Sequence, residues 1–235
     1  MKDGPSTGSR INVLSRDFVG HSYKPNPLIE SANTHEVFTA SLDGFDCVTY
    51  LETKRSRARR TILALTRASK VDDFIEWLRK IRYDQGRIRW ERRNHYMTLW
   101  IRNNVREGII KPVSIPAVPI ISRECVLNVV PGLAAQRTHL KCVPKAALRR
   151  LAAYLQGGDL MFSCPPARIR CVSIVRDGSS ILMRHASRSQ GFVVERELRE
   201  FLKANRMAGV IVVRPQGVTR RIAQTEDGAK LWGGR

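Results

Sequence analysis

An α+β fold is predicted for this sequence, with helices leading and an antiparallel sheet following. Three observations predict it. Up to Gly108 the apolar residues recur at helical spacing, as at 71, 74, 75, 78 and 81. From Ile109 the chain becomes apolar, Pro-punctuated and β-like, with only two further helical stretches. Near the end, the apolar runs Ile169 to Val175 and Ile181 to Ala186 flank Arg176-Asp177-Gly178-Ser179-Ser180, which reads as a hairpin. Helices segregated before strands argue against a doubly wound parallel sheet.

Taken in order, Asn12 to Phe18 opens the fold as a short helix, and Tyr23-Lys24-Pro25-Asn26-Pro27 is extended because its two prolines forbid a helix. A long helix starts close to Asp46, with Val48, Leu51, Ile62 and Leu65 on its apolar side. Val71 to Ile81 is an amphipathic helix with acids at its start and bases at its end, matching the helix dipole. Arg92 to Ile101 begins another, closing before Gly108. Val126 to Val130 and Leu140 to Val143 are candidate strands, Lys145 to Leu155 a helix ended by Gly157-Gly158, and Asp159 to Phe162 the next strand. After the hairpin, Val193 to Ala204 reads as an amphipathic helix and Gly209 to Arg214 as a strand. Residues 1–217 are expected to form one domain and 218–235 a loose basic tail.

At 235 residues and 43% hydrophobic, the composition is that of an ordinary soluble globular protein. Lys and Arg number 41 against 21 Asp and Glu, so the net charge of +20 predicts attraction to a polyanion, whether nucleic acid, an anionic membrane surface or a carboxylate-bearing cell wall. Five of the seven residues from Lys54 to Arg60 are basic, read either as a solvated helix face or as a binding site. The basic, aromatic stretch from Arg79 to Arg106 fits either stacking on nucleic acid or a packed core. Neither a signal peptide nor a transmembrane segment is visible, so the chain as written is expected to be soluble and not exported by the usual signal.

Cys47, Cys125, Cys142, Cys164 and Cys171 form no C-x-x-C pair, which suits neither a zinc site nor a disulfide framework; no metal or cofactor is expected. One reactive thiol is the sharper reading, buried inert cysteine the blander one. Cys47 stands out because a thiol in the first turn of a helix gains from the dipole and from unpaired backbone N–H groups. The same groups can hold the oxyanion of a tetrahedral intermediate. Cys125, Cys142 and Cys164 receive no role. A base for Cys47 would come from His21, His35, His95, His139 or His185.

Several blocks carry a family resemblance. Asp43-Gly44-Phe45-Asp46-Cys47-Val48-Thr49-Tyr50-Leu51-Glu52-Thr53 resembles the nucleophile motif of the N-acetylmuramoyl-L-alanine amidase-like family, once domain of unknown function 1460, in the NlpC/P60 cysteine-hydrolase superfamily. Arg93-Asn94-His95-Tyr96, with Trp100-Ile101 and Asn103-Asn104, is similar to its second block. Gly158-Asp159-Leu160 and Leu182-Met183-Arg184-His185-Ala186-Ser187 resemble the third and fourth, and Gly209 to Pro215 the closing strand. The resemblance implies a papain-like fold, the nucleophile helix packed on an antiparallel sheet, and hydrolysis of the amide between N-acetylmuramic acid and L-alanine in peptidoglycan fragments such as anhydro-muropeptides. It implies Cys47 as nucleophile, Asp46, Tyr50, Arg93, Asn94, His95 and Arg184 toward the substrate, and His185 as the polar residue orienting the catalytic imidazole. A periplasmic or envelope location also follows only from the resemblance.

The sequence departs from that pattern where the family carries His-x-Gly-Ile and this chain reads Cys171-Val172-Ser173-Ile174. A thiol cannot replace imidazole as a general base near neutrality. A three-residue hairpin loop of Asp177, Gly178 and Ser179 would set Cys171 directly opposite His185 on one face, leaving His185 to act alone and poorly. Three readings follow: a weakened cysteine amidase, a degenerate amidase fold that binds wall material without cleaving it, and a basic nucleic-acid-binding protein.

Overall fold

A computed structural model describes residues 6–25, 27–28, 32–39, 44–52, 71–116, 118–164 and 171–217. The basic run from Lys54 to Arg60, Ile62 and Leu65 of the long helix expected from Asp46, and the expected tail from Val218 lie outside the described residues.

The architecture is α+β, as the sequence predicts. Helices α1 (Thr7–Arg16), α2 (Cys47–Glu52), α3 (Val71–Arg82) and α4 (Met97–Arg106) come first. Strands β1 (Ile110–Pro112), β2 (Ile121–Leu127) and β3 (Gln136–Pro144) follow, then α5 (Leu148–Ala152), β4 (Leu160–Ser163), β5 (Cys171–Asp177), β6 (Ser180–Ser187), β7 (Phe192–Glu197), α6 (Leu198–Ala204) and β8 (Gly209–Pro215). The strands form an eight-stranded sheet in the order β2-β3-β8-β4-β5-β6-β7, with β1 also pairing to β8. Its strand pairs are antiparallel.

Alternation along the strands sorts side chains onto two faces. On one face Leu160, Phe162, Cys171, Ala186, Val193, Ile211 and Val213 pack beneath the N-terminal helices, meeting Ile11, Phe18, Tyr50, Leu51, Leu78, Ile81 and Trp100. On the other, Met161, Val172, Ile174, Met183, Val210 and Val212 meet Leu151 of α5 and Leu198 and Phe201 of α6. The sheet is therefore apolar on both sides. Any residue of β5 or β6 belongs to one helical layer or the other.

The sequence misplaces several elements. Val193 to Glu197 pairs with β6 as β7 instead of beginning a helix; β-branched Val193 and Val194 sit opposite Ala186 and His185, and the helix starts only at Leu198. The helix expected from Arg92 begins at Met97, because Arg93 adopts extended backbone and Tyr96 does too. Within β2 and β3 the paired strands run from Ile121 to Leu127 and from Gln136 to Pro144, so the expected strand at Val126 to Val130 starts five residues earlier. The first helix, expected from Asn12, likewise starts five residues earlier, at Thr7, where the Ser6 side chain accepts from the Ser9 N–H.

Candidate active site

Cys47 is the first residue of α2, and the local sequence explains why the helix starts there. Asp46 Oδ1 accepts from the backbone N–H groups of Val48 at 3.0 Å and Thr49 at 2.8 Å, while Asp46 N–H donates to Thr49 Oγ1 at 3.1 Å. This reciprocal cap satisfies donors that a helix start otherwise leaves unpaired. Asp46, expected to receive substrate, has Oδ1 engaged in capping.

The helix is held on the sheet by polar contacts as well as by apolar packing. Tyr50 is fully buried, and its hydroxyl meets Ser173 Oγ of β5 at 3.1 Å. Burial pushes the Tyr50 phenol far up, so the group is neutral and serves as a neutral hydrogen-bonding partner. Next to Ser173 across the β5–β6 ladder stands Arg184, which donates to Ser15 Oγ and to Asn12 O, each at 2.7 Å, and pairs with Glu195 at 2.6 Å. Both Tyr50 and Arg184 were expected to face substrate; both are interior struts joining α2 and α1 to the sheet. Glu52, at the other end of α2, accepts from Arg82 Nε at 2.8 Å and from Trp100 Nε1 at 3.0 Å, tying α2 to α3 and α4.

At the start of α2 the structure brings Cys47 and Cys171 together. The Cys171 thiol donates to the Cys47 carbonyl oxygen, 2.7 Å away. Cys171 is fully buried and Cys47 half-buried. Donation from Cys171 lowers the Cys47 pKa and outweighs burial and the neighbouring Asp46 carboxylate, which raise it. Burial first, and then Cys47 itself, push Cys171 well above the ordinary thiol range. At neutral pH Cys171 is thus a neutral thiol that donates to the Cys47 carbonyl oxygen and cannot take the Cys47 proton.

His185 is not part of this centre. The β5–β6 turn has two central residues, Gly178 and Ser179, with Asp177 paired to Ser180. Ser173 accordingly faces Arg184, and the one-residue difference from the expected register puts His185 on the opposite face from Cys171. There its ring packs against Phe201 of α6, centroids 5.4 Å apart. The rescue in which His185 serves as base to Cys47 is excluded by the thickness of the sheet between them.

The remaining histidines are engaged elsewhere. His21 Nδ1 meets Phe18 O at 3.2 Å, His35 and His139 are exposed, and His95 packs on Trp90. His95 Nε2 donates to Trp90 O at 2.7 Å while its Nδ1 accepts from Arg93 Nε at 3.4 Å; burial, above all, lowers its pKa. Arg93 pairs with buried Glu36 at 3.2 Å, and Asn94 bridges Ile81 O and the Asn103 amide. Of the Arg93-Asn94-His95 block, expected in the substrate pocket, Arg93 and Asn94 are buried, with Asn94 bracing α3 against α4, and His95 is half-buried.

The same packing removes the aromatic platform proposed for nucleic acid. Trp90 and Trp100 are buried, Arg82 and Arg93 are committed to Glu52 and Glu36, and Arg92 and Arg106 both pair with Asp84. No cluster of three His, Cys, Asp or Glu suited to a metal is present among the described residues. Among the same residues no helix is long and apolar enough to cross a membrane.

A profile of the N-acetylmuramoyl-L-alanine amidase-like family matches residues 13–210. The chain belongs to that family. The match spans α2 with Cys47, the β5 strand with Cys171 and the β6 strand with His185. Solved structures share the fold. A Legionella pneumophila protein of the domain of unknown function 1460 family superposes with a TM-score of 0.76 at 19% identity, covering 90% of this chain and 89% of its own. An N-acetylmuramoyl-L-alanine amidase from Bacteroides uniformis gives 0.71 at 22% identity, covering 89% of this chain and 99% of its own. No curated protein matches the chain in sequence.

The signals missed in the sequence were physical ones. Tyr50, Ser173 and Arg184 form a single polar network only because α2 lies across β5 and β6, a placement that helical spacing does not encode. Glu52 gave a readable hint, as a carboxylate inside an otherwise apolar turn that must find a cationic partner when buried.

Proposed function

We propose that this amidase-like protein recognises peptidoglycan fragments, with anhydro-muropeptides as the favoured class, at the surface around Cys47, and that it does not turn over the N-acetylmuramoyl–L-alanine amide at amidase rates. The observation that carries this reading is the thiol of Cys171 in contact with Cys47, where a cysteine hydrolase of the NlpC/P60 type needs an imidazole.

The chemistry follows from the two thiols. Attack by the Cys47 sulfur on the amide carbonyl would form a tetrahedral oxyanion beside the first turn of α2, and the leaving amine must then collect a proton. An imidazole does both halves of the work, taking the thiol proton and returning it to nitrogen. Cys171 does only half. Its S–H steadies the Cys47 thiolate, but burial raises its pKa, so at neutral pH it keeps its own proton and does not deliver one to the leaving amine. Loss of a general acid–base ordinarily lowers the rate by about 10²–10⁴-fold.

Recognition itself needs no imidazole. The net charge of +20 complements the carboxylates of a muropeptide stem. The test is equilibrium binding of a defined anhydro-muropeptide, followed calorimetrically while product release is monitored by chromatography. Saturable binding with intact ligand recovered supports the reading. No binding, together with equal affinity for an unrelated polyanion, would overturn it.

A further inference from the structure

The thiol pair carries chemistry of its own, beyond recognition of wall fragments. Cys47 and Cys171 come from different elements, α2 and β5. The Cys171 thiol donates to the Cys47 carbonyl oxygen at 2.7 Å, so the side chain of one lies against the main chain of the other. Their exposures are unequal: Cys47 is half-buried, whereas Cys171 is fully buried in the core. We propose that Cys47 and Cys171 form a reversible intramolecular disulfide on exposure to hydroperoxide, with Cys47 as the reacting thiol and Cys171 as the one that resolves it.

The steps balance. The Cys47 thiolate attacks one oxygen of hydrogen peroxide; an S–O bond forms, the O–O bond breaks, and hydroxide leaves and takes a proton to become water. Cys47 is then a sulfenic acid. The Cys171 sulfur attacks the Cys47 sulfur, the S–S bond forms, the S–O bond breaks, and the departing hydroxide takes the Cys171 proton as a second water. Peroxide is reduced, two thiols are oxidised, and an external thiol reverses the change by exchange. An imidazole at position 171 would offer no sulfur for the second step.

A second thiol pair supplies an internal comparison. Cys142 of β3 and Cys164 share one apolar core, but both are buried, so neither offers the more exposed partner that peroxide requires. Oxidation is therefore expected at the Cys47 pair first.

The full chain is treated with stoichiometric hydrogen peroxide and digested without reduction, and sulfenic acid is trapped in parallel with dimedone. The expected result is a Cys47 peptide linked to a Cys171 peptide and released by dithiothreitol. In Cys171→Ser, shown to be folded by thermal melting, the linked peptide vanishes and dimedone labelling of Cys47 rises about tenfold, because the sulfenic acid is no longer resolved. If Cys171→Ser melts early, Cys47→Ser serves instead and should leave Cys171 reduced. Equal dimedone labelling in native protein and Cys171→Ser would overturn the proposal, and so would a Cys142–Cys164 link with Cys47 still reduced. No muropeptide enters these assays, so failure here and failure of the binding reading are separable.

Discussion

Replacing Glu52 by alanine is expected to cost this protein a large share of its stability. Glu52 is 1% exposed and its two oxygens serve different partners, Arg82 Nε at 2.8 Å and Trp100 Nε1 at 3.0 Å. In Glu52→Ala the Arg82 guanidinium, 2% exposed, keeps the Thr39 carbonyl as an acceptor but loses its counter-charge. Breaking a buried pair from one side costs about 3–5 kcal/mol. The orphaned indole N–H adds about 1–3 kcal/mol, though the two terms belong to one network and do not simply sum. A loss of about 4 kcal/mol is a substantial fraction of the roughly 5–15 kcal/mol available to a folded domain. Urea denaturation at pH 7, followed by tryptophan fluorescence, measures it. The double variant Glu52→Met, Arg82→Met should recover much of the loss, since no charge is then left buried. A loss below about 1 kcal/mol in Glu52→Ala would refute the claim that this pair holds α2 against α3 and α4.

Other predictions concern the site directly. Cys47 alkylation by iodoacetamide, followed against pH, should inflect below the ordinary thiol value of about 8.5, and Cys171→Ala should move the inflection upward by removing the S–H donor. His185→Gln should leave that inflection unchanged, because the ring lies on the α6 face; a shift would place His185 back within reach of Cys47. Tyr50→Phe should lower stability by about 1 kcal/mol through loss of its contact with Ser173 while muropeptide affinity, measured calorimetrically, stays the same.

The fold was largely legible because its main features follow from periodicity. The helical face of α3, the apolar runs of β5 and β6, and glycine at the ends of elements all come directly from residue type and spacing. Register was not legible. Between a two-residue and a three-residue turn at Gly178 the sequence offers no decisive preference, yet that one residue moves His185 through the sheet. Nor could spacing reveal that Val193 to Glu197 gains more from pairing with β6 than from extending α6, since Val193, Leu198 and Phe201 satisfy both patterns. At the site, Cys47 was legible as a helix-start thiol, and its pairing with Cys171 became visible only once α2 was laid across β5. Tyr50, Arg93, Asn94 and Arg184 illustrate the converse: polar residues near a nucleophile motif often brace the elements that carry it.

Position 171 decides between recognition and turnover, so the decisive measurement is release of stem peptide from anhydro-muropeptide by native protein and by Cys171→His, with Cys171→His, Cys47→Ala as the control. Thermal melting and retained Cys47 alkylation establish that the histidine has been accommodated in the core. The account predicts that Cys171→His cleaves about 10²-fold or more faster than native protein, and that removing Cys47 abolishes the gain. Native protein cleaving as fast as the histidine variant would contradict it, as would a folded, thiol-reactive Cys171→His that binds the fragment and leaves it intact.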